Sequence, residues 1–212
     1  RGNTAITGNI VTYEHPIENV FGGVVSSCCT IAQSEIGLHV PTFHDGIVNA
    51  MRRKPSLIVV GELRDPATIR AANDAAVTGH PVFATVHAND SSAIIRRMVM
   101  QYDMSHQQQM FAEISSTSRL LMSQYLVERA DEEGRVCLRD WIIVDPDRSE
   151  QLIAAGYEGH HGLMRSWMDS GVRARSMKTS IMIELEARRI SEETARLAMK
   201  RYGYTWERAH AA

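Results

Sequence analysis

An α/β fold organised on a parallel central sheet is what this sequence predicts, on three observations. Leu57-Ile58-Val59-Val60 is a short, continuous aliphatic run with three β-branched residues, the pattern of a strand buried on both faces of a parallel sheet. The run passes through Gly61-Glu62 into Asp65-Pro66, a helix cap followed by a residue suited to a first helical turn. A further apolar run, Val82-Phe83-Ala84-Thr85-Val86, follows after one helix-length segment, and strand, helix, strand with short joins is the arithmetic of a right-handed parallel crossover. Periodicity alone does not separate such runs from buried helix. Glu62 taken by itself fits a ligand-binding carboxylate at the carboxyl end of a strand, and equally the solvated acidic end of a core strand.

In chain order, Asn9-Ile10-Val11-Thr12-Tyr13 reads as a strand that must stop at Pro16, because proline supplies no ladder hydrogen bond. Residues 17–40 show no helical period and read as loop with one or two short strands. From Thr42 the pattern is helical: Thr42 and Asp45 resemble a capping box, Ile47, Val48 and Met51 form an apolar face, and Pro55 ends the element. Residues 66–78 are alanine-rich and closed by Gly79, a left-handed cap. Asp90 or Ser91 caps a helix through Ile94, Ile95, Met98 and Val99. A longer helix over 105–126 places Met110, Ile114, Leu121, Met122 and Tyr125 at core-facing spacing. Residues 125–127, the charged turn Asp131-Glu132-Glu133-Gly134 and residues 136–144 read as a hairpin. Residues 156–171 suggest no firm element, and two amphipathic helices close the chain over 179–189 and 192–202, the second capped by Ser191.

Composition bounds the function. The 212 residues, 44% of them hydrophobic, suffice for one compact domain with a small appendage. A formal charge of −2 lacks the basic footprint of a dedicated nucleic-acid binder. Three cysteines, two of them the neighbours Cys28 and Cys29, make no disulfide framework and fit a reducing compartment. No run is long and apolar enough to cross a bilayer, and no secretory signal is visible. The chain begins with Arg1 and enters a strand almost at once, so a portion of a longer protein is expected.

The chemistry gathers at strand ends. Glu14, Glu62 and His87 each follow a β-run and would share one edge of a parallel sheet, where paired carboxylates bind Mg²⁺ and position a water. His80 precedes its strand, which puts it at the opposite edge unless the loop folds back. The rival reading gathers Glu14, Glu62, His80 and His87 into a transition-metal set, at a spacing that matches no recognised ligand motif. His15, His39, His44, His106, His160, His161 and His210 are read as ordinary structural or surface histidines.

These residues carry a resemblance. Thr12-Tyr13-Glu14-His15-Pro16-Ile17-Glu18 resembles the acidic box of the secretion ATPase superfamily, the motors of type II and type IV secretion, pilus dynamics and conjugation. The segment from Pro55 through Glu62 to Asp65 is similar to its Walker B segment, and that from Thr78 through His80 to His87 to its histidine box. Met177-Lys178-Thr179 and Ile190-Ser191-Glu192-Glu193-Thr194-Ala195 resemble its C-terminal helical region. The boxes stand in family order over residues 9–90, and the form of the acidic box with Tyr13 resembles the type IVB and plasmid-transfer branch.

The resemblance implies a RecA-like P-loop ATPase core, incomplete here, over residues 1–146, with a hairpin and a helical region over 147–212. It implies ATP and Mg²⁺ as ligands, a homo-oligomer expected to be a hexamer, and partners in the inner-membrane secretion or pilus machinery at the cytoplasmic face, with no direct nucleic-acid binding. Glu62 and Glu14 would handle Mg²⁺ and the attacking water, His80 and His87 would lie near the γ-phosphate or at a coupling surface between subunits, and Arg64 and Asp65 would orient the loop. The departures are specific. No G-x-x-x-x-G-K-S/T occurs, Gly22-Gly23 is not followed by such a lysine, and the phosphate loop is expected upstream of Arg1, with weak or no ATP binding by this chain alone. His15 stands where aspartate is usual, Ser34 where arginine is frequent and Pro81 where leucine is common. A ring-forming module without hydrolysis and a metal-dependent hydrolase are the alternatives to a motor.

Overall fold

Apolar alternation along β1 (Gly8–Glu14) decides the first layer of the molecule. In the computed structural model, which describes residues 7–21 and 29–206, β1 lies between two parallel neighbours. Gly22, Gly23, Cys28 and His210 lie outside the described residues. The strands of the first sheet are β1, β2 (Cys29–Glu35), β3 (Leu57–Val60) and β4 (Val82–Ala84), all parallel, in the order β2-β1-β3-β4. Val11 and Tyr13 stand opposite Ile58 and Val60 in register. Their common face packs on Phe43, Ile47 and Ala50 of α1 (Phe43–Met51) and on Ala71, Ala72 and Ala75 of α2 (Pro66–Val77). The small alanines let α2 lie close to the sheet.

Local chemistry sets these helix starts. Thr42 Oγ1 accepts the Asp45 N–H at 3.1 Å and donates to the Asp45 carboxylate at 2.7 Å, so the box closes through the hydroxyl. Asp65 accepts the Thr68 N–H at 2.9 Å, with Pro66 in the first turn, and Gly79 follows α2 at φ 87. Leu57, Ile58 and Val60 are buried as expected, whereas Val59, on the other face, is half-buried. Two expectations are corrected in this unit. Residues 29–35 form a full seven-residue strand, because β1 offers a complete parallel ladder that no local pattern announces. β4 is the edge strand and is not buried: Phe83 is 62% exposed, since only β3 pairs with it among the described residues.

The chain divides into two compact units, Arg1–His87 with Ile95–Thr117, and Ala88–Ile94 with Ser118–Ala212. These limits cut the chain elsewhere than the expected 1–146 and 147–212. In the first unit α4 (Met104–Thr117) is tied to α2 by Thr117 Oγ1 donating to Asn73 Oδ1 at 2.7 Å. The expected helix over 105–126 ends at Thr117. Leu120 begins β5 (Leu120–Glu128), where Leu121 is buried and Met122 exposed in strand alternation.

In the second unit β5 pairs antiparallel with β6 (Arg135–Ile143), which pairs with the short β7 (Ala174–Arg175). The hairpin is the expected one, with its first strand lengthened from 125–127 to 120–128 and its second shifted by one residue. The segment thought to lack a firm element belongs to α5 (Pro146–Ser170), broken at Gly156 with φ 69 and ψ 175 and closed by Gly171 at φ 70. Asp145 caps α5. The Arg148 N–H, then Arg173, hold its carboxyl below the usual aspartate range. Arg148 is itself buried, donates to the carbonyls of Ile143, Val172 and Arg173, and lies 4.8 Å from the centre of the Trp167 ring. That burial lowers its pKa, and three carbonyl acceptors compensate the desolvated guanidinium. The closing helices are α6 (Met177–Glu186), shorter than expected, and α7 (Glu192–Arg201) with the Ser191 cap. Between β4 and α4 in the chain, a 3-10 turn at Ser91–Ala93, capped by Asp90, and α3 (Ile94–Val99) complete the element list.

Candidate active site

Strand order places the site. The chain leaves β1 for β2 on one side and returns through α1 to β3 on the other, so the order reverses between β1 and β3. Open α/β sheets bind ligands outside the carboxyl ends of strands at such a reversal. Glu14 is the last residue of β1 and Glu62 stands two residues past the end of β3, so the two carboxylates flank that position.

The turn that carries Glu62 is held through its backbone. Gly61 N–H donates to Tyr13 O at 2.7 Å, Leu63 N–H to Thr85 O at 2.9 Å, and the Thr85 hydroxyl donates to Gly61 O. A side chain at Gly61 would put its Cβ 3.0 Å from Tyr13 O and 3.3 Å from Glu14 Cα, which is why glycine stands between the strand and the glutamate. The Glu62 side chain is 13% exposed. Arg64 Nε forms an ion pair with its Oε1, and His87 Nε2 lies 3.6 Å from its Oε2. Oε1 is buried, and the Arg64 guanidinium compensates its charge.

Glu14 is held by different neighbours. Thr12 Oγ1 donates to Glu14 Oε1 at 2.6 Å and Gln33 Nε2 donates to the same oxygen at 2.9 Å. Glu35, its register partner on β2, accepts the Ile17 N–H at 3.3 Å.

The structure thus brings Glu62, Arg64 and His87 together, with Glu14 on the adjacent strand at the same sheet edge. Asp65 is a helix cap, its second oxygen accepting from the Thr68 hydroxyl at 2.7 Å. His80 lies at the amino end of β4, its N–H on Ala75 O at 2.9 Å and its Nδ1 3.1 Å from Thr78 Oγ1, apart from the other four. The four-residue transition-metal set is therefore not assembled. Among the described residues no group of three or more His, Cys, Asp or Glu is placed to hold a metal ion.

Thr12, Gln33, Glu35 and Thr85 were given no role from sequence. The available signal was the repeated alternation Thr12-Tyr13-Glu14 and Gln33-Ser34-Glu35, whose meaning depends on β1 and β2 pairing in that register. Elsewhere, Asp140 on β6 is fully buried and accepts the Ser91 N–H at 3.0 Å; burial pushes its carboxyl up to about 6, against the pull of Ser91.

Known proteins resemble this chain in sequence and in fold. The family model described as "Type II/IV secretion system protein" matches residues 3–206. The "Uncharacterized protein YggR" of Escherichia coli (strain K12) is 38% identical over 144 residues, 68% of this chain and 43% of that protein. The X-ray structure of the Legionella pneumophila ATPase DotB superposes with a TM-score of 0.84 at 35% identity, over 91% of this chain and 51% of that one. The crystal structure of the pilus retraction motor PilT with bound ADP superposes with a TM-score of 0.78 at 28% identity, over 92% of this chain and 54% of that one. The chain spans about half the length of these structures or less of the curated relative. The α/β class with a parallel central sheet, expected from the sequence, is the class of these ATPases.

Proposed function

The chain belongs to the type II/IV secretion system protein family, and from that premise we propose that it carries the carboxylate edge of an ATP-hydrolysing secretion or pilus motor. The observation that carries the reading is the pair Glu14 and Glu62 flanking the reversal between β1 and β3. Paired carboxylates at such an edge suit a bound cation and a polarised water. Mg²⁺, when bound with ATP, supplies neutralisation of phosphate charge.

The remaining work falls to side chains of this chain. Glu62 and Glu14 divide metal binding and orientation of the attacking water between them. Arg64 steadies the Glu62 carboxylate, and Asp65 fixes the start of α2 and with it the turn. His87, 88% exposed at the side chain and 3.6 Å from Glu62, is placed to sense what binds there. His80, at the far edge of the sheet, suits a contact between subunits. In this reading residues 1–146 are the carboxyl-terminal part of the ATPase domain and 147–212 its helical region. The working form is a homo-oligomer, a hexamer, at the cytoplasmic face of the inner membrane, engaged with secretion, pilus or conjugation proteins. No helix among the described residues is long and apolar enough to cross a membrane; in this reading partner proteins hold the motor there.

The test is Glu62→Gln in a full-length protein that includes a phosphate loop. Turnover should fall by roughly a hundredfold or more while Mg-ATP binding stays within a few fold, because the substitution removes charge and keeps shape. Retained turnover would remove Glu62 from its role. The 212-residue chain alone should bind ATP weakly or not at all; hydrolysis by it at the rate of the full-length protein would contradict the reading.

A further inference from the structure

We propose that Thr12 and Gln33 are positioning residues for Glu14, and that Gln33 links the Glu14 carboxylate to the conformation of loop 17–21. The inference rests on Glu14 being part of the hydrolytic site. Thr12 pairs with Gln33 in register and Glu14 with Glu35, so with a period of two all four side chains share the sheet face opposite Tyr13. Two carboxylates directly opposite one another repel, and each here has separate donors. Glu35 Oε2 takes the Ile17 N–H, whereas Glu14 Oε1 takes both the Thr12 hydroxyl at 2.6 Å and the Gln33 amide at 2.9 Å. Two donors on one oxygen fix the carboxylate plane, and Oε2 takes no hydrogen bond among the described residues.

Gln33 has a second task. Its Nε2 also donates to Asn19 O at 2.9 Å, and its Oε1 accepts the Phe21 N–H at 2.7 Å. Donors face a carboxylate and a carbonyl while the acceptor faces an N–H, so these partners determine which way round the amide sits. A carboxylate at position 33 could satisfy Phe21 and would confront Glu14 with a like charge. Methionine would keep the length and lose all three bonds. Loop 17–21, with Val20 81% exposed and Phe21 40% exposed, therefore hangs on the same side chain that orients Glu14. A displacement of that loop would release one of the two donors on Glu14.

The experiment compares Thr12→Val, Thr12→Ser, Gln33→Met and Glu14→Gln in the full-length protein, with steady-state kinetics and hydrogen exchange of backbone amides. Thr12→Val and Gln33→Met should each lower kcat roughly ten- to a hundredfold, the range for a lost hydrogen bond to a charged group, with KM within about twofold. Thr12→Ser should restore kcat, and Gln33→Met should speed exchange at Phe21 without nucleotide. Added to Glu14→Gln, neither substitution should lower kcat further, since both act through Glu14. Unchanged kcat in Thr12→Val and Gln33→Met while Glu14→Gln is inactive would overturn the proposal, and so would additive losses on the Glu14→Gln background. Full activity of Glu14→Gln would instead overturn the placement of Glu14 in the site.

Discussion

Replacing Gly46 by alanine sets two effects of known sign against each other. Gly46 lies inside α1, where alanine is the better helix former by about 1 kcal/mol. The backbone alone therefore predicts stabilisation. Packing predicts the reverse: a Cβ at Gly46 would stand 2.5 Å from Cδ1, 2.8 Å from Cε1 and 2.9 Å from Cγ of Tyr13. These are ring atoms of a residue 1% exposed, on a strand paired on both sides, so the ring cannot swing away and α1 must shift. Overpacking of this kind costs about 1–3 kcal/mol and outweighs the propensity gain. Gly46→Ala should lower stability by up to about 2 kcal/mol, read as a fall of a few degrees in Tm and a lower urea midpoint at unchanged m. Because Tyr13 immediately precedes Glu14, turnover should fall as well. Tyr13→Leu in the Gly46→Ala background should recover part of the loss, whereas Tyr13→Phe should change stability there only by what it does in the parent, since the clash is with the ring and not the hydroxyl. A Gly46→Ala protein more stable than the parent would refute the packing argument.

Other outcomes follow from the same contacts. Tyr13→Phe alone should be neutral or stabilising by up to about 1 kcal/mol in urea unfolding, because the Tyr13 hydroxyl is buried without a partner among the described residues. Gly61→Ala should destabilise by about 1–3 kcal/mol and displace Glu62, as its Cβ meets Tyr13 O, a carbonyl already engaged by Gly61 N–H; a crystal structure with an unmoved turn would count against this. Asp140 gives a pH dependence. Its folded pKa, about 6, lies above the ordinary 3.8, so the stability it contributes is fully present below about 3.8 and lost as pH rises through 6. The unfolding free energy of the parent minus that of Asp140→Asn should therefore fall by about 3 kcal/mol between pH 3.5 and 7, and parallel curves would show that Asp140 does not titrate in this way.

Where a structural signal is local, the sequence carries it. Asp65-Pro66 starts α2 and Gly79 follows it at the place expected, because cap and left-handed residue act within a few bonds. Leu57–Val60 and the Ser191 cap were legible for the same reason. Glu14, Glu62 and His87 were traced to one sheet edge by counting strand-to-helix joins, and His80 to the other. The misreadings have a common cause. Leu121, Met122 and Tyr125 fit a helical stripe continued from Met110 and Ile114, and no glycine or proline marks the break at Thr117, so pairing with β6 decides that they are strand. Residues 157–170 are polar and glycine-bearing, and only burial of His160, Met164, Trp167 and Met168 in the second unit makes them a helix. The seven-residue β2 exists because β1 is there to pair with it.

By itself, then, the sequence determined the class of fold, its helix caps and the carboxylates at strand ends, since these depend on residue type and near neighbours. Tertiary structure alone decided the register that puts Gln33 and Thr12 on one oxygen of Glu14, the close approach that demands Gly61 and Gly46, and the partners of Glu62. These contacts join residues distant in the chain, and no local pattern encodes a distance between strands that have yet to pair.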